Sequence, residues 1–287
     1  MTTYVFCKGC RWIAGGWIGF ITENVLLSHN RDEIISRFGK DNYILAYSTL
    51  STATCGSIAY GLIRFGVGQN AFIARRSPVA LMAGFVLQTA GLVGLSQTLP
   101  PLQIPFALKS SSDHHNSAAS SSTGSSNEID VAGPAGPSVV ASPTGSSSFS
   151  FTLRCPIDYQ QSRNAKADTN EEYGIERITR HPTLWSLGLI GLGTASLSVF
   201  LPEVVFGSFA GLFAAIGSSH QDYRHQRGSG GYLSPERLAT TSNVPFAAVL
   251  AGRQSFLAAQ QEMKTTNAAL AAAAAVPIFI RQLKRVR

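Results

Sequence analysis

Gly174-Ile175-Glu176-Arg177-Ile178-Thr179-Arg180-His181-Pro182 leads into residues 183–201, which carry no charge. Pro202-Glu203 follows, then a second uncharged run over 204–219, then His220-Gln221-Asp222-Tyr223-Arg224. At about 1.5 Å of rise per helical residue, each run is roughly long enough to cross a bilayer core. Two such spans folded back at Pro202 form a hairpin. A hairpin returns its ends to one side, so Arg177, Arg180 and His181 are expected at the same membrane face as His220, Asp222 and Arg224.

The rest of the chain agrees with a membrane setting. Of its 287 residues 45% are apolar and only 14% charged, with a mean hydropathy of +0.11. An ordinary soluble domain has about a quarter of its residues charged. The net charge of +7 comes from Lys and Arg placed mostly at span ends, where snorkelling and topology account for it and nucleic acid is not needed as a partner.

Working outward, residues 12–27 form a first apolar segment interrupted by Glu23, with no small-residue cleavage site after it. Residues 31–41 mix both signs and read as a solvated connector. Residues 45–63 make a second span rich in Ser and Thr, and 78–95 a third, where Gly84, Gly91 and Gly94 allow close helix approach. Residues 267–280 make a short sixth span containing Pro277, followed by a basic tail. With six spans, Arg64, Arg76 and the tail fall on one side, as the positive-inside rule prefers, although the opposite rim also carries Arg177, Arg180, Arg224 and Arg227. The fold expected is all-α: a multi-pass transmembrane bundle of five to six spans, with N-terminal helices over 1–108 and the hairpin helices over 171–287.

Between them, residues 109–170 change character. Ser-, Gly- and Pro-rich stretches there lack the apolar content to offset ordering entropy, so a disordered insert is expected. His114 and His115 inside it are too few to define a metal site. Cys7 and Cys10 form a lone CxxC and read as unpaired thiols; Cys55, within a span, reads as a small hydrophobe. No metal site is expected.

Three residues are candidates for chemistry. His181 stands at the mouth of a span with Arg177 and Arg180 within a turn, an arrangement suited to an anion such as a carboxylate, phosphate or lipid head group. It serves equally to pair Asp222 across the hairpin and hold the spans in register. Asp222 is the second candidate. Glu23 is the third, because an acid deep in an apolar helix is costly unless paired or protonated. Arg177, Arg180, His181 and His220 are the candidate cofactor contacts. His220, Asp222 and His225 could also bind a metal or move protons if they converged.

The Gly-Ile-x-Arg-Ile-Thr-Arg-His-Pro motif, Asp222 after the next span, and Asn243-Val244-Pro245-Phe246-Ala247-Ala248-Val249-Leu250-Ala251-Gly252-Arg253-Gln254 together resemble the NnrU family of membrane proteins. The last block is most similar to its plant branch, the 15-cis-zeta-carotene isomerases. That resemblance implies cis/trans isomerisation of an apolar polyene in a plastid membrane, with haem b as the redox cofactor. It carries over Arg177, Arg180, His181, Pro182, Asp222, Pro245, Phe246, Gly252, Arg253 and Gln254. Where the family's haem ligands are expected, this chain has Glu23 in the first helix and Thr194, with Gly191 nearby, in the helix after Pro182. The alternative is therefore a non-catalytic scaffold or accessory subunit of a membrane complex that keeps the hairpin without the cofactor. A third resemblance is to membrane S-adenosylmethionine-dependent methyltransferases, which also have Arg-His-Pro before a span. They carry a tyrosine after the proline and an acidic pair after the next helix, where this chain has Thr183-Leu184-Trp185 and a single Asp222.

Overall fold

A computed structural model describes residues 7–65, 76–100, 106–109, 150–153, 173–229 and 231–286. In chain order the helices are α1 (Lys8–His29), α2 (Arg31–Phe38), α3 (Lys40–Phe65), α4 (Pro78–Thr98), a 3-10 turn (Gly174–Arg177), α5 (Pro182–Leu197), α6 (Leu201–Gln226), α7 (Pro235–Thr240), α8 (Ala247–Leu250), α9 (Phe256–Gln261) and α10 (Thr265–Val286). The strands among the described residues are β1 (Phe106–Lys109) and β2 (Ser150–Leu153), an antiparallel ribbon with Phe106 opposite Leu153. The ribbon lies in a compact unit of its own, separate from the helical unit.

β2 falls inside the stretch expected to be an unstructured insert. Its Ser-Phe-Thr-Leu alternation suits a strand, but four residues are too few to reveal a period of two within a Ser-rich tract. Residues 110–149 and 154–172, with His114 and His115, lie outside the described residues.

In the helical unit, α1, α3, α4, α5, α6 and α10 pack side by side. Three described helices are long and apolar enough to cross a membrane: Pro78–Thr98, Leu201–Gln226 and Thr265–Lys284. The expected count of five to six is not reached by that measure. α1 and α3 carry too many polar side chains, and α5, though apolar, has only 16 residues.

Glycines fix the helix spacing. A Cβ on Gly191 would lie 2.5 Å from Ala210 Cβ and 2.9 Å from the Gly207 carbonyl oxygen, so α5 and α6 touch backbone to backbone there. Gly84 and Gly91 do the same for α4 against α5: an added Cβ would come within 3.1 Å of the Gly193 oxygen or 2.7 Å of the Ser186 oxygen. Such close approach gains dispersion energy over the whole seam. Ile13, Trp17, Ile58 and Ala210 then close the core between α1, α3 and α6.

The hairpin turn lies slightly before Pro202. α5 ends at Leu197, Ser198 Oγ donates to Glu203 Oε2 (2.7 Å) and accepts from the Phe200 amide (3.0 Å), and Pro202 sits in the first turn of α6, where its missing N–H costs nothing. Arg76 caps the end of α5: Nε donates to the Ser198 oxygen and Nη2 to the Ala195 oxygen, each at 3.0 Å. At the other end of α4, Lys264 Nζ donates to the Gln97 and Leu99 oxygens at 2.8 and 2.6 Å, starting α10 back along α4.

Cys7 and Cys10 are joined as a disulfide, with Cα atoms 5.3 Å apart. This corrects the reading of unpaired thiols. Cys7 is the N-cap of α1 and Cys10 the third residue of its first turn, so the helix itself brings the two side chains to one side. Cys55 remains a free thiol.

Candidate functional site

Local backbone geometry sets the basic corner. Gly174, at φ +58°, opens the 3-10 turn in a left-handed conformation that a Cβ would penalise, and Pro182 starts α5. Between them the chain is stitched to a distant loop. The Arg180 amide donates to the Ser242 oxygen (3.0 Å), Thr179 Oγ1 to the Asn243 oxygen (2.6 Å), and the Phe246 amide to the Ile178 oxygen (2.9 Å). That holds Arg180 and His181 toward the last turns of α6.

There they meet Asp222. Arg180 Nη2 donates to Oδ2 at 2.6 Å and Nε to Oδ1 at 3.3 Å. His181 Nε2 lies 2.7 Å from Oδ1; a carboxylate only accepts, so the imidazole N–H is the donor. Arg180 Nη1 reaches Thr241 Oγ1 at 3.0 Å. The side chains of Arg180 and His181 are 8% exposed and that of Asp222 11%. The hairpin thus brings the basic and acidic corners to one rim, and each partner is matched by the other.

Arg177 is not part of this cluster. Its guanidinium turns to Glu262 in a bidentate pair, Nε to Oε2 at 2.9 Å and Nη2 to Oε1 at 2.8 Å, and Nη1 donates to Gln254 Oε1 at 3.1 Å. The Gly174 amide adds a bond to Glu262 Oε2 at 2.6 Å. The Arg177 bonds, with that amide, hold the Glu262 carboxyl below its usual range against the opposing effect of burial. The sequence offered one signal for this partner: Glu262 is the single acidic residue after Glu236. Arg253 completes the joint by donating to the Ala239 and Thr241 oxygens at 2.8 and 3.2 Å. The Gly252-Arg253-Gln254 block therefore docks the C-terminal segment onto the Arg-His-Pro segment.

His220 lies two residues from Asp222, about 200° around the helix, and faces elsewhere. Its Nε2 is 3.1 Å from Ser28 Oγ on α1, and its ring is 6.2 Å from that of His29. His220, Asp222 and His225 do not converge, and among the described residues no group of three or more His, Cys, Asp or Glu could hold a metal ion.

Glu23 is buried on α1 and accepts from Ser51 Oγ on α3 at 2.5 Å. Thr194 Oγ1 donates to the Ile190 oxygen and accepts from Gln88 Nε2. Gly191 is closed against α6. Where the resemblance would place haem ligands, the chain offers a carboxylate with one oxygen tied to a serine and the other buried without a partner, a hydroxyl tied to its own helix, and no side chain. These donors do not fit the axial imidazole or thiolate ligation of a haem.

A cleft of about 450 Å³ opens between α1, α3, α5 and α6 at the same rim. Ile21, Val25, Phe213 and Ile216 supply apolar wall, while Ser28, Arg31, His220 and Arg224 supply the polar end. Arg31 had read from sequence as part of a connector and Tyr47 as part of a span.

No family model, curated protein or solved structure matches this chain.

Proposed function

We propose that this chain is a multi-pass integral membrane protein of NnrU type, built from six antiparallel rods, that acts as a non-catalytic scaffold or accessory subunit of a membrane complex. The membrane reading is supported by the distribution of polarity within single helices. On α4, Gln88 is 4% exposed while Val79 is 78% exposed, and Met82 and Val86 also face outward. A soluble helix shows the opposite arrangement. α1, α3 and α5 run alongside the three strongly apolar helices and bury polar groups such as Glu23 and Ser186 inward.

The observation that carries the scaffold reading is the donor set where the resemblance expects haem ligands: Glu23 bonds Ser51 through Oε1 and keeps Oε2 buried without a partner, Thr194 is tied to its own helix and Gly191 is closed against α6, so no imidazole or thiolate is offered. The Arg180–His181–Asp222 cluster is equally self-contained and works as a clamp between the loop at Thr241 and α6. A second reading, an isomerase-type enzyme acting on an apolar polyene in a plastid membrane, is favoured by one feature, the apolar wall of the cleft.

The visible spectrum of the full chain purified in detergent tests the choice. A folded, colourless protein that migrates with partners on native gels of its source membrane is expected. A Soret band that shifts on dithionite reduction overturns the scaffold in favour of the isomerase.

A further inference from the structure

Two arginines of this rim are neutralised by separate carboxylates, Arg177 by Glu262 and Arg180 by Asp222. The two in the cleft are different. Arg31 makes no ion pair among the described residues, and Arg224 donates from Nη1 to Ser28 Oγ at 2.6 Å while its Nε is buried without a partner. Among the described residues no Asp or Glu lines the cleft. Two half-buried guanidinium groups therefore line one cavity with no ion pair among the described residues, and Arg224 keeps one buried N–H unsatisfied, which is costly.

The other end of the cavity is apolar, lined by Ile21, Val25, Ile44, Phe213 and Ile216. A soluble anion would match the arginines and gain nothing from these walls. A zwitterionic head group brings its own cation to the arginines. An amphiphile with an anionic head and a hydrocarbon tail satisfies both ends, and the guanidinium fork matches phosphate oxygens in particular. Basic pockets between membrane helices recognise head groups in this way.

We propose that this cleft binds an anionic phospholipid of the surrounding bilayer, its phosphate held by Arg31 and Arg224 and one acyl chain laid along Val25, Phe213 and Ile216. Arg224 is also fixed by Ser28, so the lipid ties α2 and α6 to the end of α1. The proposal rests on the membrane reading above and adds a specific ligand to it.

Thermal unfolding of the full chain in an uncharged maltoside detergent tests the site. Dioleoylphosphatidylglycerol is expected to raise the midpoint by several degrees, and dioleoylphosphatidylcholine and inorganic phosphate to leave it unchanged. Arg31→Gln, which breaks no side-chain hydrogen bond or ion pair among the described residues, should abolish most of the shift. Ile216→Trp, which fills the tail end, should do so independently. An equal shift with phosphatidylcholine or with inorganic phosphate, or an undiminished shift in Arg31→Gln, overturns the proposal. Membrane insertion is read separately by resistance to alkaline carbonate extraction. An embedded protein that ignores phosphatidylglycerol sinks this site and leaves the membrane reading standing.

Discussion

His181 Nε2 and Asp222 Oδ1 lie 2.7 Å apart across 41 residues of sequence. The pair spans the start of α5 and the end of α6, so it exists only if the two helices fold back on each other in full register. Arg180 binds the other oxygen through Nη2 and shares Oδ1 through Nε, and together the three groups lock the hairpin at its open end.

Removing the shared partner should be costly. Asp222→Asn leaves Arg180 charged in a buried setting without its counter-ion, and losses of about 3–5 kcal/mol are typical for such a broken pair. A thermal melt in detergent should show a large drop in midpoint for Asp222→Asn. A double-mutant cycle of His181→Ala with Asp222→Ala should return a positive coupling energy. Strict additivity would mean the 2.7 Å contact carries no energy.

The Arg177–Glu262 joint makes a prediction about pH. The carboxyl is held below its ordinary value of 4.5 by the Arg177 bonds, chiefly, and by the Gly174 amide. A depressed carboxylate contributes stability that is complete above its unfolded value and is lost as pH falls through its folded one. The stability gap between wild type and Glu262→Gln should be constant from pH 7 to about 5.5, then close below about 4.5. A gap that widens on acidification contradicts the assignment.

At the α5–α6 seam, Gly191→Val should destabilise the hairpin. The first added carbon already falls 2.5 Å from Ala210 Cβ and 2.9 Å from the Gly207 oxygen, where no flexible side-chain end can yield. Overpacking of this kind costs about 1–3 kcal/mol. Gly56→Ala is the control: a Cβ there meets nothing within 4 Å, and the same unfolding measurement should show it neutral or slightly stabilising.

Arg76→Ala removes both donors from the Ser198 and Ala195 oxygens at the end of α5. Bonds from charged groups to such carbonyls contribute about 1.5–3 kcal/mol each at most. Hydrogen exchange should quicken first in the last turn of α5 and around Ser198, before any change at Asp222. Uniform loss of protection across the bundle would mean that Arg76 has a global role instead.

Much of the helical unit was legible from sequence because it follows from composition. Uncharged runs over 183–201 and 204–219 with Pro202 between them leave few alternatives to paired helices, and the His181–Asp222 contact follows from their antiparallel packing. Gly84, Gly91 and Gly94 announced a close seam, and each meets α5. Span counting was harder. α1 and α3 bury Glu23, Ser28 and Ile58 on one side while exposing Ile18 and Ile63 on the other, and an average over the helix hides that division. The Cys7–Cys10 disulfide was missed because spacing alone does not state which turn of a helix holds the pair.

The sequence by itself determined that two apolar rods return to one rim, since chain length, missing charge and a proline act locally and need no partner. The tertiary structure decided how charge is shared at that rim. Arg177 and Arg180 are three residues apart and alike in type, yet one pairs Glu262 and the other Asp222, because the 3-10 turn points them to different segments. Arg31, which opens α2 just after α1, and Arg224 come to line one cleft only because α1 and α6 pack together. A guanidinium's partner depends on which distant backbone is brought within about 3 Å, and local sequence does not encode that distance.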